Sequence, residues 1–432
     1  GAMPVTSLEQ RIDSGDWAIG VIGLGYVGLP LAVAATTAGV AAIGFDVDDG
    51  YVEALRSGIS PIEDVSDEQL KAALAKGLTI TSDPDALSSA DMLVLCVPSP
   101  LGAHREPDMS YIQSAADTVT KVITPGTLVS LESTTYPGTT EDIIVPAVAA
   151  AGLQLDEDVW VAFSPERVSP GDELKTADIP KVVGGVTQDS TRIASKAYAQ
   201  LVANVHPVSD AAVAEMAKLL ENTYRAVNIA MANEMAQMAH ELDVDIWEVI
   251  DAAATKPFGF QAFYPGPGVG GHCIPLDPQF LAWRAREKRF APRFIDLAEQ
   301  VNLHMPTYTA NRIGEVLNGL GKSVKGATVL GMGVAYKPNI ADDRESASLE
   351  VLNILAGRGA EVEVFDPIVG ADRIEAQGLA SSDGAGTYDI AVVLTDHDIF
   401  DLAAIAVSSE VVFDTRGAYR KRAIEADNVV VM

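Results

Sequence analysis

Short, unbroken apolar runs alternate with longer amphipathic stretches through the first part of the chain. Ala18-Ile-Gly-Val-Ile22, Asp91-Met-Leu-Val-Leu-Cys-Val-Pro98, Leu128-Val-Ser-Leu-Glu132 and Val159-Trp-Val-Ala-Phe163 each read as a buried strand. Such runs are typical of parallel strands covered on both faces by helices. An Ala-rich helix is expected over residues 29–39, followed by a second strand, Ala41-Ala-Ile-Gly-Phe-Asp46. From about Asp210 the period changes. Residues 211–242 contain neither proline nor glycine and are rich in Ala, Met, Leu and Glu, so one long helix is expected there. Further helices are expected near 246–254, 278–289 and 294–319. Strand-helix alternation resumes at Lys325, with strands beginning at Ala327, at Val362-Glu-Val-Phe-Asp366, at Asp389-Ile-Ala-Val-Val-Leu394 and at Val411-Val-Phe-Asp414. The predicted fold is α/β: two doubly wound, Rossmann-like domains, residues 1–208 and 321–432, joined by a central helical domain, residues 209–320.

Charge and cysteine content narrow the picture. The 432 residues carry a formal charge of −30, which repels polyanions and argues against nucleic-acid and anionic-membrane partners. An anionic substrate would need a local cluster of cations. No apolar run approaches the roughly 18 residues of a membrane span. Two cysteines, Cys96 and Cys273, make no disulfide framework and suit a reducing, cytoplasmic setting. Gly1-Ala2-Met3 reads as a cloning remnant before a natural start at Met3. No metal site is expected.

Several residues could carry chemistry. Gly23, Gly25 and Gly28 stand in G-x-G-x-x-G spacing between a strand and a helix, with Tyr26 and Val27 inside the turn, and Asp46 ends the next strand. This is the dinucleotide fingerprint in its proper context, and an acid at Asp46 favours NAD over NADP by repelling a 2′-phosphate. Strand ends at Ser99-Pro100, at Ser133-Thr-Thr-Tyr-Pro-Gly-Thr-Thr140 and at Ser164-Pro-Glu-Arg167 face the ligand crevice of such a sheet. Glu166 there is either solvated or functional. Lys218, Asn222 and Arg225 share one face of the long helix, which could equally be its wet side. Gly266-Pro-Gly-Val-Gly-Gly-His-Cys-Ile-Pro-Leu-Asp-Pro278 is a glycine loop delivering Cys273, with His272 beside it and Asp277 beyond. It is either a turn with an inert buried cysteine or a loop that brings amides and one thiol to a ligand. Cys96, inside an apolar strand, reads as core. The second α/β unit looks like a repeat of the first in which Tyr336 replaces the third glycine. It is therefore not a second dinucleotide site, and Lys337, Arg344 and Arg416 are its candidate phosphate cations.

Taken together, these motifs resemble the UDP-glucose/GDP-mannose dehydrogenase family from about Trp17 onward. The resemblance rests on the Gly23–Gly28 fingerprint, Cys96-Val-Pro-Ser-Pro100, Ser133-Thr-Thr-Tyr-Pro-Gly-Thr139, Ser164-Pro-Glu-Arg167, Lys218-Leu-Leu-Glu-Asn222, Gly270-Gly-His-Cys273 with Asp277, and Ala335-Tyr-Lys337 with Asp343-Arg344. It implies NAD as cofactor, a UDP-sugar as substrate, a homodimer or higher oligomer through the central helix, and two successive oxidations of the sugar C6 alcohol to a carboxylate. It further implies that Cys273, Lys218, Asn222, Asp277, Glu166 and Thr135 carry catalysis. NAD contacts would come from Gly23, Gly25, Tyr26, Val27, Gly28, Asp46, Pro98, Ser99, Thr135 and Arg344. Substrate contacts would come from Glu166, Arg167, Lys218, Asn222, Tyr264, Gly270, Gly271, Lys337 and Arg416. A thiol suits the double oxidation independently, because its aldehyde adduct both retains the intermediate and can lose hydride again.

The sequence departs from the family pattern at three places. Pro170 replaces a second glutamate, Ser99 replaces a threonine, and Pro257 stands where the UDP-glucose branch has an arginine. The segment from Lys256 to Pro267 resembles the branch acting on 2-acetamido sugars. UDP-N-acetylglucosamine is the expected substrate, with UDP-N-acetylmannosamine next and UDP-glucose more distant. The competing readings are a single-step hydroxyacid dehydrogenase, which would have no use for Cys273, and a catalytically silent binding protein, which would not need the retained set of site residues.

Overall fold

The structure, a computed structural model, describes residues 5–167, 178–271 and 273–432. Pro170 and His272 lie outside the described residues. The chain divides into two compact units, 1–221 with 279–290, and 222–278 with 291–432.

The first unit is built on an eight-stranded sheet. Its strands are β1 (Ala18–Ile22), β2 (Ala41–Phe45), β3 (Thr79–Thr81), β4 (Met92–Leu95), β5 (Thr127–Leu131), β6 (Val159–Phe163), β7 (Lys181–Gly185) and β8 (Val205–Pro207). They lie in the order β3-β2-β1-β4-β5-β6-β7-β8. The first six follow the doubly wound order with its reversal between β1 and β4. β7 runs antiparallel to β6, pairing Ala162 with Gly185, and β8 runs parallel to β7. That extension was not read from the sequence. The central strands are buried on both faces, as their unbroken apolar runs require.

The second unit holds a six-stranded, all-parallel sheet of β9 (Thr328–Met332), β10 (Glu361–Phe365), β11 (Ala380–Ser381), β12 (Tyr388–Val393), β13 (Ser409–Asp414) and β14 (Val429–Val431). Its order, β11-β10-β9-β12-β13-β14, reproduces the same winding. The protein therefore contains two Rossmann-like sheets with a helical region between them in sequence.

That region centres on the 31-residue helix Ala211–Glu241. Helix Ile246–Ala254 follows, its N-terminus capped by the Asp245 carboxylate, which accepts from the Trp247 and Glu248 amides. Helices Asp277–Glu287 and Arg293–Gly319 complete it. No helix among the described residues is long and apolar enough to cross a membrane.

Candidate active site

In the first unit the predicted turn forms as expected. A Cβ on Gly28 would sit 1.7 Å from the Gly23 carbonyl oxygen, so no side chain fits where helix Gly28–Thr37 leaves the strand. Gly25 is different: a Cβ there meets nothing within 4 Å. The protein does not need that glycine for its own packing, and the space it leaves is a cradle suited to a pyrophosphate. Asp46 is half-buried. Its carboxylate accepts from the Leu24 amide at 3.1 Å and the Asp48 amide at 3.1 Å, so it shapes the turn as well as facing the crevice. Tyr26 and Pro98 are exposed and Val27 is half-buried.

The ends of β4, β5 and β6 converge beside this turn. Ser99 is buried and donates to the Thr134 carbonyl. Ser133 Oγ donates to the Val97 carbonyl at 2.7 Å. Thr135 is also buried, with its hydroxyl 2.5 Å from that of Thr139. The Ser164–Arg167 segment is anchored residue by residue. Ser164 Oγ donates to the Val182 carbonyl at 2.6 Å. The Pro165 carbonyl accepts from Lys181 Nζ at 3.4 Å, and the Glu166 carbonyl accepts from Lys218 Nζ. Arg167 donates to the Pro180 carbonyl at 2.8 Å and pairs with Glu221 at 2.9 Å. Lys218 is thus buried on the long helix and tied to the residue expected to serve as base, while Arg225, predicted on the same face, is exposed.

One anchor escaped the sequence reading. Glu215, one turn before Lys218, is 1% exposed and accepts from the Gly138 amide at 3.1 Å and the Thr140 amide at 3.2 Å. It holds the loop that carries Thr135. Burial pushes its carboxyl up to about 7, against the pull of those amides. Its i, i+3 spacing to Lys218 was the available signal.

In the second unit, Cys273 is half-buried on its glycine loop. Its carbonyl accepts from the Asp277 amide at 2.8 Å, which closes the turn into helix Asp277–Glu287. Asn222 Nδ2 donates to the buried Asp277 carboxylate at 2.5 Å. The loop glycines have a cause that the sequence did not reveal. Gly271 has φ +92°, and a Cβ there would lie 2.8 Å from the Tyr336 ring; one on Gly266 would lie 2.5 Å from the Arg416 guanidinium. The protein itself approaches this backbone closely, so the glycines serve internal packing before any ligand. Gly270 and Gly271 line that contact. Cys96, by contrast, is buried, and burial pushes its thiol well above the ordinary range. Such a thiol is inert.

The candidate phosphate cations occupy the carboxyl ends of the second sheet. Lys337 follows β9 and is half-exposed. Arg416 follows β13, and its Nε donates to the Leu394 carbonyl at 2.7 Å, at the end of β12. These ends flank the reversal between β9 and β12, where open α/β sheets bind ligands. Burial brings the Arg416 guanidinium down to about 10, which leaves it a cation at neutral pH. The Arg344 guanidinium forks onto Asp342, with both Nε contacts at 2.9 Å. Its charge is therefore locally compensated, a partnership two residues away that the motif did not disclose. Tyr264 stacks on Trp247 with centroids 5.6 Å apart and donates to Asp251 at 2.9 Å.

Comparison with known proteins places the chain in a family. Family models for the UDP-glucose/GDP-mannose dehydrogenase family match three consecutive stretches: the NAD binding domain at residues 17–202, the central domain at 212–304 and the UDP binding domain at 330–421. The chain belongs to this family. It is an NAD-dependent nucleotide-sugar dehydrogenase. The UDP-N-acetyl-D-glucosamine 6-dehydrogenase of Pseudomonas aeruginosa is 35% identical over 391 residues, covering 89% of this chain and 92% of that one. The UDP-N-acetyl-D-mannosamine dehydrogenase of Pyrococcus horikoshii is 36% identical over 385 residues, covering 88% and 90%. A solved structure of the UDP-D-ManNAc dehydrogenase from Pyrococcus horikoshii superposes with a TM-score of 0.86 at 32% identity, covering 96% of this chain and 98% of that one.

Proposed function

We propose that this dehydrogenase oxidises the C6 alcohol of a UDP-2-acetamido sugar, UDP-N-acetylglucosamine first, to the uronic acid in two steps at one thiol. The observation that carries the two-step reading is the contrast between the cysteines. One is sealed in the sheet core, and the other is half-buried on a loop whose exit is fixed by Asp277 and Asn222.

The Gly23–Gly28 turn, Asp46, Tyr26, Val27, Pro98, Ser99, Thr135 and Arg344 would hold NAD, which when bound takes up the hydride of each oxidation. The alcohol first loses a proton and a hydride to give the aldehyde. The Cys273 thiolate adds to the aldehyde carbon, and the oxygen takes up a proton, giving a thiohemiacetal. Loss of that proton and of hydride leaves a thioester, and attack by water releases the carboxylate and the thiol. Lys218 supports the oxyanions that develop in these steps. Asp277 and Thr135 hold the water, and Glu166 takes its proton. Lys337 and Arg416 grip the diphosphate, with Arg167, Asn222, Tyr264, Gly270 and Gly271 shaping the sugar end.

The sugar assignment rests on relatives whose names specify acetamido sugars and on the segment around Pro257. There Phe258 and Phe260 are exposed, and the Lys256 ammonium lies over the Phe258 ring at 4.8 Å. An apolar wall of this kind favours an acetamido methyl by about 1–3 kcal/mol. UDP-N-acetylmannosamine is therefore the second reading. The three-part organisation at 1–208, 209–320 and 321–432 and a cytoplasmic setting belong to the same proposal.

A second copy of the chain is the proposed partner. Val213, Met216, Leu220, Tyr224, Met231, Met235 and Met238 are exposed along the long helix at spacings of three, four and seven, an apolar stripe that a soluble monomer would leave wet.

The deciding experiment is NADH formation from UDP-glucose and from UDP-N-acetylglucosamine, UDP-N-acetylgalactosamine and UDP-N-acetylmannosamine, with two NADH expected per acetamido sugar. A kcat/KM for UDP-glucose above every acetamido sugar overturns the substrate. Normal turnover with two NADH in Cys273→Ala overturns the thiol chemistry.

A further inference from the structure

Beneath the Ser164–Arg167 segment lies a buried ionic cluster that the reaction scheme does not use. Lys181, the first residue of β7, donates to Glu132 Oε1 at 2.8 Å, with side chains 5% and 1% exposed. The same ammonium reaches the Pro165 carbonyl and lies 5.2 Å from the centre of the Tyr198 ring. The Tyr198 hydroxyl donates to Glu132 Oε2 at 2.7 Å and is 2.7 Å from Ser130 Oγ.

Such a pair is a poor way merely to fill a core. Buried ion pairs cost desolvation, and apolar replacements of similar volume are often neutral or stabilising. Burial works against the Lys181 charge, but Glu132 and Glu166 outweigh it and hold the ammonium above its ordinary range. Burial also pushes the Glu132 carboxyl up, and the charge of Glu166 adds to that push. Glu166 therefore interacts electrostatically with both members of the pair. Its backbone is gripped as well: the Pro165 carbonyl is held by Lys181 and the Glu166 carbonyl by Lys218.

We propose that Lys181, held in place by Glu132 and Tyr198, is a positioning residue for Glu166. It pins the Pro165 carbonyl from beneath the sheet and provides the field in which the Glu166 carboxylate takes a proton from the hydrolytic water. The inference rests on the reading of Glu166 as base, and it gives this chain a second carboxylate near that base, Glu132, where Pro170 removes the usual one.

The test compares Glu166→Gln, Lys181→Met, Lys181→Arg and the double variant Glu132→Gln/Lys181→Met, which removes both charges and leaves neither unpaired. Stopped-flow NADH formation, steady-state kcat from pH 6 to 10 and intact-protein mass for an acyl-enzyme are measured with UDP-N-acetylglucosamine. The double variant is expected to keep the fast burst of two NADH per site, lose about tenfold or more in steady-state kcat, and accumulate the acyl-enzyme. In Lys181→Met the burst is kept and hydrolysis slows, because the Pro165 carbonyl loses the ammonium that fixes the segment carrying Glu166. Lys181→Arg restores turnover. Should the double variant not fold, Tyr198→Phe carries the test. Losing that hydroxyl leaves one Glu132 oxygen unheld and loosens the ammonium it pins, so hydrolysis slows and the acyl-enzyme accumulates. A folded double variant, or Tyr198→Phe in its place, with wild-type turnover and pH profile overturns the inference. If Glu166→Gln stalls as acyl-enzyme while the double variant runs normally, only the role of Lys181 falls. If Glu166→Gln turns over normally, the base assignment falls and this inference with it.

Discussion

The two Rossmann-like sheets use the same device for opposite ends. After β1, the Gly23 amide donates to the Phe45 carbonyl at 2.8 Å, and Asp46 receives the Leu24 and Asp48 amides. After β9, the Gly333 amide donates to the Phe365 carbonyl at 3.1 Å, and Asp366 receives the Val334 and Ile368 amides at 2.8 and 3.1 Å. The repeat reproduces these contacts, and the Val369 amide adds a third to Asp366 at 3.0 Å. The sheets part at the loop after the fourth strand, where the second places His397. Its Nε2 meets Asp366 at 2.9 Å with both side chains fully buried, and its Nδ1 accepts from the Asn339 amide at 2.9 Å. That accepted bond fixes the neutral tautomer with hydrogen on Nε2. The same acid is left at the crevice in one sheet and sealed as a structural pin in the other. Strand order therefore does not decide whether an acid at this corner stays partly open or is sealed; in the second sheet the fourth-strand loop seals it.

The most damaging way to break the comparison is Asp366→Ala. It orphans a buried imidazole and three amides, and should cost about 3–5 kcal/mol in urea unfolding. A loss below about 1 kcal/mol would remove the distinction between the sheets. Burial raises the Asp366 carboxyl, but the His397 bond and the amides outweigh it and leave it below the usual range. That stabilisation is present above the unfolded value and is lost as pH falls through the folded one, in the acid region.

Glu215 behaves in the opposite sense. Its folded value, about 7, exceeds the ordinary 4.5, so the native state binds the extra proton and stability falls as pH rises between those values. The group contributes about 3 kcal/mol of decline over that range. The difference in unfolding free energy between wild type and Glu215→Gln, followed from pH 4.5 to 8, should show it. A pH-independent difference would refute the shift.

Arg416→Ala sharpens the ligand side. Losing a charge-assisted phosphate contact should raise the UDP-sugar KM by about 10- to 100-fold, or 1.5–3 kcal/mol, with little change in the KM for NAD. Equal damage to both constants would contradict a nucleotide role for the second crevice. The smallest stability effect belongs to Asp46→Ala, about 1 kcal/mol in urea unfolding, with NAD weakened and discrimination against NADP relieved. Unchanged preference for NAD would show that the first acid, too, is only a pin.

Much of this was legible in the sequence, because strand runs, the glycine turn and the long helix are local patterns. Strands β1, β2 and β6 and helix Ile246–Ala254 agree closely with the apolar runs. What escaped reading are partnerships made at long sequence separation. Glu132 looked like a polar strand end, yet its partners Lys181 and Tyr198 lie 49 and 66 residues away. β7 and β8 are too short and mixed to announce themselves. The cysteine loop was recognised as special, but its glycines were credited to a ligand when Tyr336 and Arg416 already require them.

That last contact bears on exchangeability. The loop carrying Cys273 takes its shape from side chains of the final domain, with Tyr336 beneath Gly271 and Arg416 against Gly266. The final domain is consequently not a cassette. Grafting another nucleotide-binding domain onto this chain would reshape the path of the sulfur along with the pocket, so chimeras that keep Tyr336 and Arg416 should retain chemistry that wholesale swaps lose.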